Sequence, residues 1–164
     1  MRSVKNILLI IVLVVGFTGL AHSHCQVPCG IYGDMTRIVI LNEHLTTIEK
    51  SMNQINELSK DPQANMNQLV RWVDNKDTHA DELSEIVTYY FLAQRIKIKE
   101  PANADEFKKY QAQVTTLHQM MVYSMKCKQT TDVKNVEKLH GLVGQLVKLY
   151  FSEEDQKHLK DHHN

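Results

Sequence analysis

Glycine, proline and aromatic side chains are scarce in this chain of 164 residues, which has six glycines, three prolines, one tryptophan and an aromatic content of 7%. Turn-rich β architectures punctuate their strands with glycine and proline, and collagen-like or low-complexity chains need far more of both, so these classes are excluded. No glycine-rich loop of the phosphate-cradling kind occurs. Charge of one sign is also missing, with 19 basic and 19 acidic side chains, so there is no basic excess to suggest nucleic acid. Long apolar runs are limited to Ile7–Val15, which is short of the roughly 20 residues that span a bilayer.

That run belongs to an N-terminal segment with the three parts of a secretory signal. Arg2 and Lys5 supply the charged start, Ile7–Val15 the apolar centre, and Ala21-His22-Ser23 the small residues before a cut. The reading is cleavage after Ser23, with an uncleaved anchor as the alternative. His24 rather than a small residue precedes Cys25, which argues against a lipoprotein. Export to a periplasm, the extracellular space or an organelle lumen is expected, with a signal-processing protease as partner and no membrane association afterwards. Removing Arg2 and Lys5 from the 19 basic residues leaves 17 against 19 acidic ones, a net charge near −2.

From Asp34 onward the periodicity is helical. Asp34 is read as the cap of a helix with apolar positions Ile38, Leu41, Leu45, Ile48, Met52 and Ile55 at spacings of three and four. Lys60-Asp61-Pro62 ends it. A second region starts near Asn65, carries Leu69, Trp72 and Val73, and crosses the polar stretch Asp74–Asp81 into Leu83, Ile86, Val87, Tyr90, Phe91 and Arg95. It reads equally as one long kinked helix or as two helices, closed at Glu100-Pro101. Asn103 or Asp105 opens a third helix with Phe107, Tyr110, Val114, Leu117, Met121 and Met125 inward, and Gln129–Asp132 forms a turn. A fourth carries Val133, Val136, Leu139, Val143, Leu146, Val147 and Tyr150. The fold expected is all-α, an up-and-down four-helix bundle with an irregular N-terminal hook. The segments are 1–23 (signal), 24–33 (hook) and 34–164 (bundle).

The hook, His24-Cys25-Gln26-Val27-Pro28-Cys29-Gly30-Ile31-Tyr32, carries the chemistry. Three cysteines in an exported chain leave one over, so Cys25 and Cys29 either pair as a disulfide or are held as thiolates by a metal. A cut after Ser23 gives His24 a free amine beside its imidazole. That amine, the next backbone nitrogen and the Cys25 sulfur form fused chelate rings. Pro28 and Gly30 supply turn chemistry to return the Cys29 sulfur. Two thiolates, an amine and an amidate in a plane suit nickel(II) or copper(II) rather than tetrahedral zinc. Two thiolates favour reduction of copper, so nickel fits better. Anionic sulfur and nitrogen donors stabilise a higher oxidation state, and an axial His24 imidazole would favour the oxidised ion.

The string His24-Cys25-x-x-Pro28-Cys29-Gly30-x-Tyr32 resembles the N-terminal hook of the nickel superoxide dismutases. The resemblance implies disproportionation of superoxide to dioxygen and hydrogen peroxide through a nickel(II)/nickel(III) cycle, with one nickel ion per chain. It implies metal ligation by the His24 amine and imidazole, the Cys25 backbone nitrogen and sulfur, and the Cys29 sulfur. Tyr32 matches a tyrosine beside the open face that orders substrate or water. A homohexamer of bundles is implied as well. Gly33 departs from the acidic residue that follows the tyrosine in better-known members. The family's carboxylate and arginine that orient the axial imidazole have no secure counterparts, with Arg37 and Glu43 the nearest candidates in sequence.

Two other functions fit parts of the sequence: an exported nickel or copper carrier using the same hook without turnover, and a disulfide-capped bundle without metal. Cys127 reads as a small buried residue, and Trp72, Tyr89 and Tyr90 as core or subunit-contact residues. Met120, Met121 and Met125 read as core fillers, and His158, His162 and His163 as a solvated end able to bind nickel loosely. Gly141 and Gly144 either admit a neighbouring helix or are simply weak helix positions.

Overall fold

The computed structural model describes residues 30–162, which lie in α-helices, one π-helical segment and their connections. The described residues from Ile31 onward make one compact unit. The signal segment and the hook residues before Gly30 lie outside the described residues.

Helix α1 is Asp34–Leu58. All six residues of its expected apolar stripe are buried, from Ile38 to Ile55. Asp34 does not cap the helix. Gly33 occupies the cap position without a side-chain bond, and Asp34 is the first helical residue, its carboxylate committed to other helices. Helix α2 is Pro62–Glu85, three residues earlier than the sequence suggested. Asp61 caps it by accepting from the Ala64 N–H, and Pro62 sits where its missing N–H has no cost. The chain then continues without a break into a π-helical segment, Ile86–Arg95, so the second region is one long helix whose winding changes. The Ile96 N–H donates to the Phe91 carbonyl, five residues back, at 2.9 Å, and Ile96 itself is extended. The helix therefore stops before Glu100-Pro101.

Asn103 accepts from the Glu106 N–H and caps α3, Ala104–Gln129. Helix α4 is Lys134–Tyr150 and α5 is Glu153–His162. Helices α1 to α4 neighbour one another in cyclic order, α1 against α2, α2 against α3, α3 against α4 and α4 against α1, the arrangement of a four-helix bundle. The fifth helix was not anticipated. Its Leu159 is buried and joins the common core.

One of the inward assignments needs correction. Met125 is 52% exposed, because Ser124 and Cys127 take the buried side of that turn; Ser124 donates to the Ala80 carbonyl at 2.6 Å. Of the two tyrosines read as core or subunit-contact residues, Tyr90 is buried in the core and Tyr89 is half exposed. Met120 and the free thiol of Cys127 are fully buried, and burial pushes the Cys127 pKa up to about 11. Apart from adjacent residues and the backbone of their own helix, no described atom lies within 4 Å of a Cβ built on Gly141 or Gly144, so within the described residues the two glycines admit no neighbouring helix.

The polar stretch Asp74–Asp81 hides a buried lysine. The Lys76 side chain is 3% exposed and its Nζ donates to the Cys127 carbonyl at 2.6 Å, the Lys128 carbonyl at 2.8 Å and Asp77 at 2.6 Å. A helix leaves its last carbonyls unpaired and its C-terminus partially negative, and Lys76 satisfies both at the end of α3. Replacing Lys76 by methionine keeps the apolar stem but strands those carbonyls, so Lys76→Met should cost about 2–4 kcal/mol in urea unfolding. A loss below about 0.5 kcal/mol, the level typical of surface substitutions, would show the lysine to be incidental.

Candidate functional site

Of the residues singled out from the sequence, His24, Cys25 and Cys29 lie outside the described residues, and Tyr32 lies within them. Tyr32 is held by its ring. The Arg95 guanidinium sits 4.2 Å from the ring centroid, and Tyr90 meets the ring edge-on at 5.9 Å. Its hydroxyl approaches Gln94 Oε1 at 3.5 Å, the outer limit of a hydrogen bond.

Two residues further on, the Asp34 carboxylate gathers three helices. Tyr90 Oη donates to it at 2.5 Å and Tyr150 Oη at 2.7 Å; Arg95 donates through Nη2 at 2.6 Å and Nε at 2.9 and 3.1 Å. The fork of Arg95 matches the two carboxylate oxygens, the geometry in which such pairs are strongest. Asp34 opens α1, Arg95 ends the π-helical segment and Tyr150 ends α4. Anion at a helix start and cation at a helix end both complement the helix dipoles. An open cleft of about 610 Å³ borders the cluster, lined by Tyr32, Gly33, Asp34, Arg95 and Tyr150 among others.

The charges respond as this geometry requires. Burial alone would raise the Asp34 carboxyl, but the bonds from Arg95, Tyr90 and Tyr150 outweigh it and hold it below the usual range. Burial and the bond to Asp34 push the Tyr90 phenol up to about 12, and the same two causes raise Tyr150. The bond to Asp34 raises Arg95 further. Of the sequence candidates for an orienting pair, Arg37 instead lies over the Tyr90 ring at 5.1 Å, and Glu43 is an exposed α1 residue. The arginine–carboxylate pair at the start of the bundle is Arg95–Asp34, 61 positions apart in sequence. The one sequence signal for it was a charged residue in line with the apolar stripe Leu83, Val87 and Phe91.

The chain matches the family model of nickel-containing superoxide dismutases over residues 20–154. It belongs to that family. No curated protein and no solved structure matches the chain significantly. The protein is a nickel-dependent oxidoreductase that disproportionates superoxide, and the carrier reading finds no support.

A second group of potential ligands, His44, His79 and Glu82, lies on α1 and α2. It contains no sulfur. Redox-active nickel favours thiolate donors, which this group lacks.

Asp34→Asn in this nickel superoxide dismutase should cost about 2–4 kcal/mol at pH 7, because it leaves Arg95 and two phenols facing a poor acceptor. The Asp34 pKa is lowered by folding, so its contribution is present above the ordinary carboxylate range and is lost as pH falls through the lowered value. The gap between wild type and variant in urea unfolding should therefore close in acid; a constant gap would count against the carboxylate's role. The Tyr90 pKa is raised, so its contribution is full below pH 10.0 and is lost as pH rises toward about 12. In an absorbance titration two of the six tyrosines should ionise late, and Asp34→Asn should bring them earlier.

Proposed function

We propose that the processed N-terminus is the nickel site of this dismutase, with His24, Cys25 and Cys29 as ligands and Tyr32 ordering substrate or water. The observation that carries the reading is the hook string itself, placed at a signal-type cleavage point in a chain of this family. The donor chemistry fits: cleavage after Ser23 frees the His24 amine, and Cys25 and Cys29 supply the thiolates. Bound nickel supplies one-electron redox chemistry between its two accessible oxidation states, and one ion per chain follows from one hook per chain.

The chain's own residues handle position and protons. Two superoxide ions and two protons yield one dioxygen and one hydrogen peroxide, so protons must reach the reduced oxygen. The phenol of Tyr32 carries an exchangeable proton, and packing by Arg95 and Tyr90 fixes its ring while leaving the hydroxyl only loosely engaged. The Asp34 cluster anchors the chain directly after Tyr32.

Export, signal cleavage and a homohexamer complete the reading. Arg2, Lys5 and Ile7–Val15 support the first two. Among the described residues no helix is long and apolar enough to cross a membrane. The exposed apolar residues Met66, Val70 and Val73, spaced along one face of α2, support burial against another copy.

The test is nickel content and superoxide disproportionation on protein beginning at His24. Cys25→Ser and Cys29→Ser should each lose the low-spin nickel spectrum and activity to background. His24→Ala should keep the fold and nickel but oxidise poorly. One extra residue before His24 should be as damaging as losing a ligand. Full activity in either cysteine variant overturns the ligand assignment.

A further inference from the structure

About 15 Å along α1 from Asp34, at 1.5 Å per residue, a second set of ligand atoms converges. His44 on α1 and His79 on α2 face each other with Nδ1 atoms 2.8 Å apart. Glu82 Oε2 lies 3.4 Å from both of them. His79 and Glu82 are three apart and share one face of α2. The His44 side chain is only 12% exposed, whereas Glu82 is 48% exposed and opens the cluster to solvent. We propose that His44, His79 and Glu82 form a second metal site, separate from the hook, that binds one zinc-class divalent ion and staples α1 to α2.

The distances carry this. A tetrahedral ion with ligand bonds of about 2.0–2.1 Å sets its donors about 3.3–3.4 Å apart along each edge. Both nitrogen–oxygen separations already have that length. The nitrogen–nitrogen separation is a hydrogen bond, with one ring donating to the other, and an ion replacing that proton needs the rings to part by about 0.5 Å. Two imidazoles and one carboxylate, with a fourth position left to water, is a familiar zinc donor set. Metal binding requires neutral imidazole, and burial disfavours the charged form of His44 against the pull of Glu82. Without thiolates the site suits a redox-inert ion, so its work is to hold two helices rather than to turn over superoxide.

The experiment uses the processed, nickel-loaded protein titrated with zinc chloride and followed by calorimetry, metal analysis after desalting, and thermal unfolding. The expected result is one zinc per chain beyond the nickel, with a rise in Tm. His44→Gln and His79→Gln should abolish both effects, and Glu82→Gln should weaken zinc binding at least tenfold, all with nickel content and dismutase activity unchanged. Glu82 is half exposed, so its variant keeps the test decisive if His44→Gln folds poorly. Equal zinc uptake in the Glu82 and His79 variants would assign the ion to the hook or the C-terminal histidines and overturn the proposal. Failure of the wild type to take up zinc would overturn it too, leaving a hydrogen-bonded histidine pair.

Discussion

The carboxylate of Asp34 is the point on which the arrangement of the bundle's end depends. A half-buried carboxylate is costly to hold unless its oxygens are fully engaged. Here two phenols and a forked guanidinium engage them, Tyr90 and Arg95 from the π-helical segment and Tyr150 from the end of α4. The same atom group that satisfies Asp34 also fixes Tyr32, because Arg95 binds the carboxylate with its nitrogens and covers the Tyr32 ring with its plane. Arginine does both at once because its guanidinium is planar and always charged; lysine would supply the charge without the fork or the flat face. The packing continues through edge-to-face rings from Tyr32 to Tyr90, Phe91, Tyr150 and Phe151. Order at the first residues of the bundle is thereby tied to its aromatic interior.

The chain separates two donor chemistries by position. In the proposed reading, sulfur and amine donors come together in the hook, where cleavage after Ser23 would create the amine. Among the described residues, two imidazoles and a carboxylate converge on the α1–α2 face, and the third cysteine, Cys127, is sealed in the core, where burial favours the protonated thiol. A buried protonated thiol does not compete for a soft metal, since the thiolate is the ligand. Were both proposed sites filled, the division would keep a redox ion and a redox-inert ion from exchanging places.

How much of this was legible in the sequence follows from the range of each interaction. The stripe of α1 was readable because burial of Ile38 to Ile55 repeats every three or four residues, a local signal. The caps Asp61 and Asn103 were equally local, although Asp61 was read as a stop for α1 rather than the start of α2. Asp34 was misread because local chemistry offers an aspartate at a helix start as a cap, whereas Arg95, Tyr90 and Tyr150 lie 61, 56 and 116 positions away. Lys76 escaped notice for a related reason. It stands among polar residues that read as solvated, and the carbonyls it binds belong to α3. Pairings at such separations leave no periodic trace.

The π-helical segment explains why that end of the bundle could not be drawn from periodicity at all. In an α-helix, residues five apart differ by about 140° around the axis, on the 3.6-residue turn. Tyr90 and Arg95 are five apart, yet both reach the same carboxylate. The wider winding, with bonds to the fifth residue back, returns such a pair toward one face. It also lets Phe91 stay fully buried beside Tyr90 while Tyr89 turns outward. An α-helical continuation would have to give up either the phenol or the guanidinium, and Asp34 would then be buried with an unmatched oxygen. The less common winding is therefore the local compromise that lets one helix serve both the core and the anchor, at the end of the bundle where α1 begins.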